Sequence, residues 1–163
     1  VSGYFQCREF LRELHELRWL VVEQPHFVAC GQEFFSDDIL SFFDDVETCL
    51  AQEQPNFVLL SSVIQYLEKP YILLETLNQS GIPYILFDRT PCAPDDKEVL
   101  SVQVVPPKIY PASYPAWIFK QRNLLSCLSN YELLLNFDSS EGCIRSGGLS
   151  ACYRGFFLRL CKT

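Results

Sequence analysis

Apolar residues occur along this chain in short unbroken runs, and segments of helical spacing lie between them. Trp19, Leu20, Val21 and Val22 run straight into a carboxylate, Glu23, before Gln24 and Pro25 stop the run. The same pattern returns in DILSFF (38–43), in FVLLSS (57–62) and in IPYILFD (82–88), which also ends on an acid, Asp88. Runs without alternation suit parallel strands covered on both faces. Between them, Tyr4, Cys7, Leu11, Leu14 and Leu17 predict a helix over 4–18. Pro25 sits in the first turn of a helix over 25–35. Asp44 and Asp45 can cap a helix carrying Val46 and Leu50. Pro70 opens and Gly81 closes a helix with Leu73, Leu74 and Leu77 on its inner face. This alternation predicts an α/β fold with a doubly wound, mostly parallel sheet and right-handed crossovers.

Residues 89–115 break the rhythm with a proline-rich insertion whose middle, LSVQVV, reads as a strand or ribbon. Such an excursion is either a lid or binding loop, or a rigid packing loop. Residues 116–129 predict a helix. Two strands, 131–137 and 153–160, joined by a Gly/Ser-rich loop, predict a C-terminal antiparallel hairpin. All of this fits one domain, 1–163.

Charge narrows the function. The 163 residues carry a formal net charge of −7 with no basic stripe, which argues against nucleic-acid binding. No apolar run approaches a membrane span. The eight cysteines form no CxxC pair, so a zinc site has little support and no metal is expected. Several lie inside apolar runs and predict thiols in a reducing, cytoplasmic compartment rather than a disulfide framework. Methionine is absent. The chain therefore reads as a piece whose natural beginning is missing.

In an open parallel sheet, ligands bind beyond the carboxyl ends of the strands. Glu23, Phe42 to Asp44, Ser61 to Tyr66 and Asp88 to Thr90 all fall there. An acid ending a strand can accept hydrogen bonds from ribose hydroxyls. It can equally be a solvated strand end or a carboxylate at a helix start. His15 reads as a surface residue, and His26 as a helix N-terminal residue or a base.

Several segments together resemble a known family. They are GYFQ (3–6), WLVVEQPHFV (19–28), VLLSSVIQYLEKPYILLETL (58–77), LFDRTP (86–91), VPPKIYPASYPAWIF (105–119) and YRGFFL (153–158). In order, they resemble the class I S-adenosylmethionine-dependent methyltransferases, and more closely a bacterial group of methyltransferases. The resemblance implies a Rossmann-like sheet and S-adenosyl-L-methionine as cofactor. It also implies methyl transfer by direct displacement to a small-molecule or sugar-linked acceptor. Glu23, with Gln24 beside it, would meet the ribose. Phe42, Phe43 and Asp44 would line the adenine, and Ser61, Ser62 and Val63 the methionine part. Gln65, Arg89, Thr90, Tyr110 and Tyr114 would contact the acceptor. Asp88 and Tyr66 are the catalytic candidates. Arg89 would clamp an acidic acceptor group or pair with Asp88 or Asp95. Ser2 and Gly3 resemble the tail of the glycine-rich turn that follows the first strand.

That first strand should precede residue 1, between strands 19–23 and 57–61. The expectation is an upstream segment, a strand from a second chain, or direct closure of the gap, with the first preferred. A homodimer is compatible with the second. Two rivals remain. One is a nucleotide-dependent oxidoreductase, which would want GxGxxG and YxxxK motifs that the chain lacks. The other is a non-catalytic methyltransferase-like interaction domain.

Overall fold

The computed structural model describes residues 2–94, 97–146 and 148–161. The chain divides into two compact units, Val1–Pro55 and Asn56–Thr163.

In the first unit, helix α1 (Ser2–Cys7) continues as a short 3-10 helix, Arg8–Leu11. The predicted helix over 4–18 is thus corrected to one that ends at Leu11. Residues 12–18 supply little apolar surface to dock: Leu14 is exposed, and of this stretch only Leu17 packs on the unit's core. Strand β1 (Trp19–Val22) pairs in parallel with β2 (Leu40–Phe43), Val21 opposite Phe42. Helix α2 (Pro25–Phe34) joins them, with Pro25 in its first turn as the sequence predicts. Helix α3 (Val46–Gln52) follows, capped by Asp45, whose Oδ1 accepts from the Thr48 N–H at 2.6 Å. That hydrogen bond holds the Asp45 carboxyl below its ordinary range. The core is Tyr4, Val28, Leu40 and Phe42.

The second unit holds β3 (Phe57–Ser61), α4 (Pro70–Gln79) and β4 (Tyr84–Cys92). They form a parallel βαβ unit. Gly81, at φ +73, closes the helix in the left-handed conformation that favours glycine. Strands β7 (Tyr131–Ser146) and β8 (Leu149–Leu160) complete a four-stranded sheet of order β3-β4-β8-β7, with β8 antiparallel to both neighbours. The Gly/Ser-rich stretch predicted as a loop is therefore mostly strand. Ser139 and Ala151 are buried there, so sheet pairing outweighs the small polar residues' preference for turns. Gly155 lies against the Phe137 ring and leaves no room for a Cβ.

The proline-rich insertion is an antiparallel ribbon, β5 (Val99–Val105) with β6 (Ala112–Ile118). The predicted helix over 116–129 shrinks to α5 (Gln121–Ser126), because residues 116–118 belong to β6. Cys143 and Cys152 are directly opposed on β7 and β8 and form a disulfide. This corrects the all-thiol expectation at one pair; six other cysteines are free.

The sheets are mixed, and the described residues contain no single doubly wound parallel sheet. Within its own unit, β1 pairs with β2 and β3 with β4. No described helix is long and apolar enough to cross a membrane.

Candidate functional site

Two rims carry the predicted residues, one in each unit.

In the first unit, Glu23 follows β1 immediately and keeps sheet contact through its N–H, which donates to the Phe43 carbonyl at 3.1 Å. The adjoining Gln24 N–H donates to Glu23 Oε2 at 3.1 Å. The carboxylate lines a hollow of about 250 Å³ whose other walls are Val21, Phe27, Cys30, Gly31, Phe35 and Phe42. So Glu23 is solvated, and a cavity lies beside it. Gly31 lets α2 come against the Phe42 ring: a Cβ there would sit 2.7 Å from Cζ and closer to Cδ1 and Cε1. Of the predicted adenine residues, Phe42 lines the hollow, while half-buried Phe43 and exposed Asp44 do not. Gly3 is helical, and a Cβ on it would meet only the Trp19 side chain at 3.9 Å, so nothing in the described structure demands glycine at this position. His15 and His26 are exposed, and His26 stands beside the Phe27 ring with centroids 4.0 Å apart.

In the second unit, the carboxyl end of β3 and the irregularity in the middle of β4 form a dense polar cluster; the strand predicted to end at Asp88 runs on to Cys92, because β8 pairs with it again from Thr90. Ser61 Oγ donates to Asp88 Oδ2 at 3.1 Å and accepts from Arg89 Nη2 at 2.8 Å. Arg89 Nε lies 3.4 Å from Asp88 Oδ2. Ser139 Oγ, on β7, donates to Asp88 Oδ1 at 3.2 Å. The structure thus brings Ser61, Asp88 and Arg89 together, and with them Ser139, which the sequence reading did not name because it sits in the stretch read as a loop. Asp95, the other partner considered for Arg89, lies outside the described residues.

The backbone of this rim is strained. Ser62 (φ 56) and Arg89 (φ 52) both adopt the left-handed conformation, at a cost of ~1–3 kcal/mol each. At Arg89 the ladder between β4 and β8 shifts register. The buried Gln65 bridges the two irregularities: its Nε2 donates to Ser62 Oγ at 2.9 Å and to the Arg89 carbonyl at 3.3 Å. Gln65 Oε1 and Thr90 Oγ1 are buried without a hydrogen-bond partner among the described residues. Each such group costs ~1–3 kcal/mol. Strain and unmet polar atoms concentrated in one small region are typical of a site organised for a ligand. Val63 is exposed beside them.

Tyr66 and Tyr114 meet edge to face, with centroids 5.3 Å apart. Gln103 links them, accepting from the Tyr66 hydroxyl at 3.1 Å and donating to the Tyr114 oxygen at 3.4 Å. A hydrogen bond with Tyr110, then burial and the neighbouring Tyr66 and Tyr153, hold the Tyr114 phenol above its ordinary value. Burial, with Tyr66 and Glu141 nearby, does the same to Tyr153. These phenols remain protonated and can donate hydrogen bonds near neutral pH. The sequence named Tyr66, Tyr110 and Tyr114. Gln103 was legible as an inward polar residue in an alternating strand, and Tyr153 carried no signal. Among the described residues no group of three or more His, Cys, Asp or Glu could hold a metal ion.

No family model and no curated protein matches the chain. Solved structures do. LepI in complex with SAM, and a cysteine-to-alanine variant of LepI in complex with SAH and a substrate analogue, each superpose with a TM-score of 0.56 at 11% identity. Each match covers 98% of this chain and 40% of LepI, so the chain spans about two fifths of LepI's length. The glycopeptide N-methyltransferase MtfA, complexed with S-adenosylmethionine, matches at 12% identity with a TM-score of 0.49, over 93% of both chains. The LepI likeness shows a shared α/β fold.

Proposed function

We propose that the chain is a methyltransferase domain of the doubly wound, Rossmann-like class that takes S-adenosylmethionine and acts on a small-molecule or sugar-linked acceptor in the cytoplasm. The observation that carries this reading is the exposed Glu23 lining a hollow whose other walls are apolar. One carboxylate beside aromatic and aliphatic walls matches a nucleoside, with its diol at the polar rim and its base in the apolar recess. A volume of about 250 Å³ lies just under the ~300–1,000 Å³ of sites that enclose a whole drug-sized ligand. The hollow therefore suits the nucleoside part alone. LepI, which shares the fold, has been solved with SAM and with SAH, which supports the choice of cofactor.

Each rim is assigned within its own unit. Glu23 accepts from the ribose hydroxyls, Gln24 fixes its carboxylate through the backbone bond, and Phe42 with Val21 takes the base. Arg89, with the buried Gln65 and Thr90 behind it, faces the acceptor together with Tyr66, Tyr110 and Tyr114. The cofactor, when bound, supplies an activated methyl group, so the protein's task is alignment. Asp88 has both oxygens engaged by serines and Arg89. Its work is to orient Ser61 and Arg89, which leaves the Tyr66 hydroxyl as the better placed group for proton handling.

Calorimetric titration with S-adenosylhomocysteine tests the reading. Saturable binding is expected, with Glu23→Ala weakening it about tenfold or more, since a hydrogen bond to a charged acceptor is worth ~1.5–3 kcal/mol. Absence of saturable heat, or an unchanged affinity for Glu23→Ala, removes the basis of the assignment.

A further inference from the structure

Three cysteines stand in one row across the sheet of the second unit. Cys152 on β8 lies directly opposite Cys92 on β4, and directly opposite Cys143 on β7. Directly opposed residues share a face of the sheet, so all three side chains lie on one side. The row runs from core to solvent: Cys92 is 5% exposed, Cys152 half-buried and Cys143 exposed. The bridge joins Cys152 to Cys143, and Cys92 keeps a free thiol. Opposed Cα atoms of antiparallel strands lie ~4.5 or ~5.5 Å apart, and both spacings fall in the ~4.4–6.8 Å that a disulfide spans. The register therefore lets Cys152 pair with either neighbour.

Its central position matters chemically. A thiolate that attacks a disulfide sulfur must enter on the side opposite the sulfur that leaves. With β8 between β4 and β7, Cys92 and Cys143 flank Cys152 from opposite sides. Burial pushes the Cys92 thiol up to about 12, partly opposed by Arg154, which stands two residues from Cys152 on the same face of β8. Arg154 Nε is buried without a hydrogen-bond partner among the described residues, so it can meet the charge as the thiolate forms. At about pH 8 roughly one Cys92 in ten thousand is thiolate. Aligned reactants gain effective molarities of roughly 10⁵–10⁸ M, which outweighs that deficit. The remaining chemistry favours outward exchange. A thiolate of high pKa is the stronger nucleophile, and an exposed thiol of ordinary pKa, ~8.5, is the better leaving group.

We propose that this row is a thiol–disulfide exchange site, in which the bridge on Cys152 migrates from Cys143 to Cys92. Cys92 gives its proton to water and its sulfur forms a bond to Cys152 Sγ. The Cys143–Cys152 bond breaks, and its electron pair leaves with Cys143 as thiolate. Nothing is oxidised or reduced overall, so no oxidant or reductant is needed. The bridge then ties β4 to β8 instead of β7 to β8, and the irregular stretch of β7 that carries Ser139 loses its covalent anchor. Cys143 emerges as an exposed thiol open to modification. The inference does not depend on the proposed methyl transfer.

The test is to incubate the unreduced, folded chain with iodoacetamide at about pH 8, digest it in acid, where exchange stops, and read the peptides by mass spectrometry. Alkylation caps the exposed Cys30 and Cys161 first, which removes them as competing nucleophiles. The expected result is an alkylated Cys143 and, in the same molecules, Cys92 linked to Cys152. Cys92→Ala removes the attacking sulfur and should slow the labelling of Cys143 at least about tenfold. Should that variant fail to fold, Cys143→Ser leaves the core untouched, and oxidised glutathione should then join Cys152 to Cys92. A Cys143 that stays unlabelled and bridged to Cys152 over days overturns the proposal. So does labelling of Cys143 at an equal rate in Cys92→Ala, or a folded Cys143→Ser chain in which oxidised glutathione leaves Cys92 a thiol.

Discussion

Gly31→Ala separates the hollow's role in folding from its role in binding. The added Cβ would stand 2.7 Å from Phe42 Cζ and closer to two other ring atoms, where carbon contacts prefer about 3.5 Å. The ring must retreat by about 1 Å or more, and the space beside it is the hollow that both residues line. Two energies oppose each other. Alanine in a helix interior gains ~1 kcal/mol over glycine. Displacing a packed ring costs ~1–3 kcal/mol. The net loss of stability is therefore only ~0–2 kcal/mol, which urea unfolding monitored by circular dichroism would measure. Affinity for S-adenosylhomocysteine should fall far more, by at least about tenfold, because the displaced ring occupies the recess assigned to the base. Adding Phe42→Leu shortens the obstructing side chain and should recover part of the affinity. A Gly31→Ala chain that binds as tightly as the parent would show that the hollow is not where the nucleoside sits.

Gly155→Ala should be costlier to folding, since a Cβ would lie 2.5 Å from Phe137 Cε1 and nearer still to Cζ, inside a strand paired on both sides. A loss of ~1–3 kcal/mol in urea unfolding is expected, and a loss below about 0.5 kcal/mol would refute the close approach. Thiol chemistry gives the pH-dependent test: desolvation pushes the Cys92 thiol up to about 12, so only a minute fraction is thiolate at about pH 8. Iodoacetamide with mass spectrometry should label the exposed Cys30 and Cys161 first and leave Cys92 unmodified until pH approaches that value or the chain unfolds. Early labelling of Cys92 would contradict its burial.

The sequence was informative where chemistry is local. Pro25 and Pro70 mark helix starts, Asp45 caps α3, and the runs WLVV and FVLLS give β1 and β3 to within a residue. The strand-end position 61 follows from the same runs, whereas 88 and 89 read as a strand end and lie in the middle of β4. It misled where tertiary pairing overrides composition. Ser139 and Gly142 read as loop residues, yet they lie within β7, in the irregularity between Asp138 and Cys143 that β8 brackets on both sides. Pro115 and the aromatics around it hid β6, because a proline demotes a strand unless its neighbours hold it. The helical stripe over 4–18 was real as a pattern. A periodic segment forms a helix only when a surface accepts its apolar face, and Leu14 has none. Ser139, contributed to the polar rim by a distant strand, could not have been found from spacing.

Strand β8 comes later in the chain than any other element of its unit, yet it lies in the interior of the order β3-β4-β8-β7. Its partner β4 is made some seventy residues earlier, and loop closure over such a span is slow. During synthesis β4 therefore waits with an open edge until β8 has left the ribosome. The polar rim at Asp88 and Arg89, which depends on that pairing for its register, is assembled last.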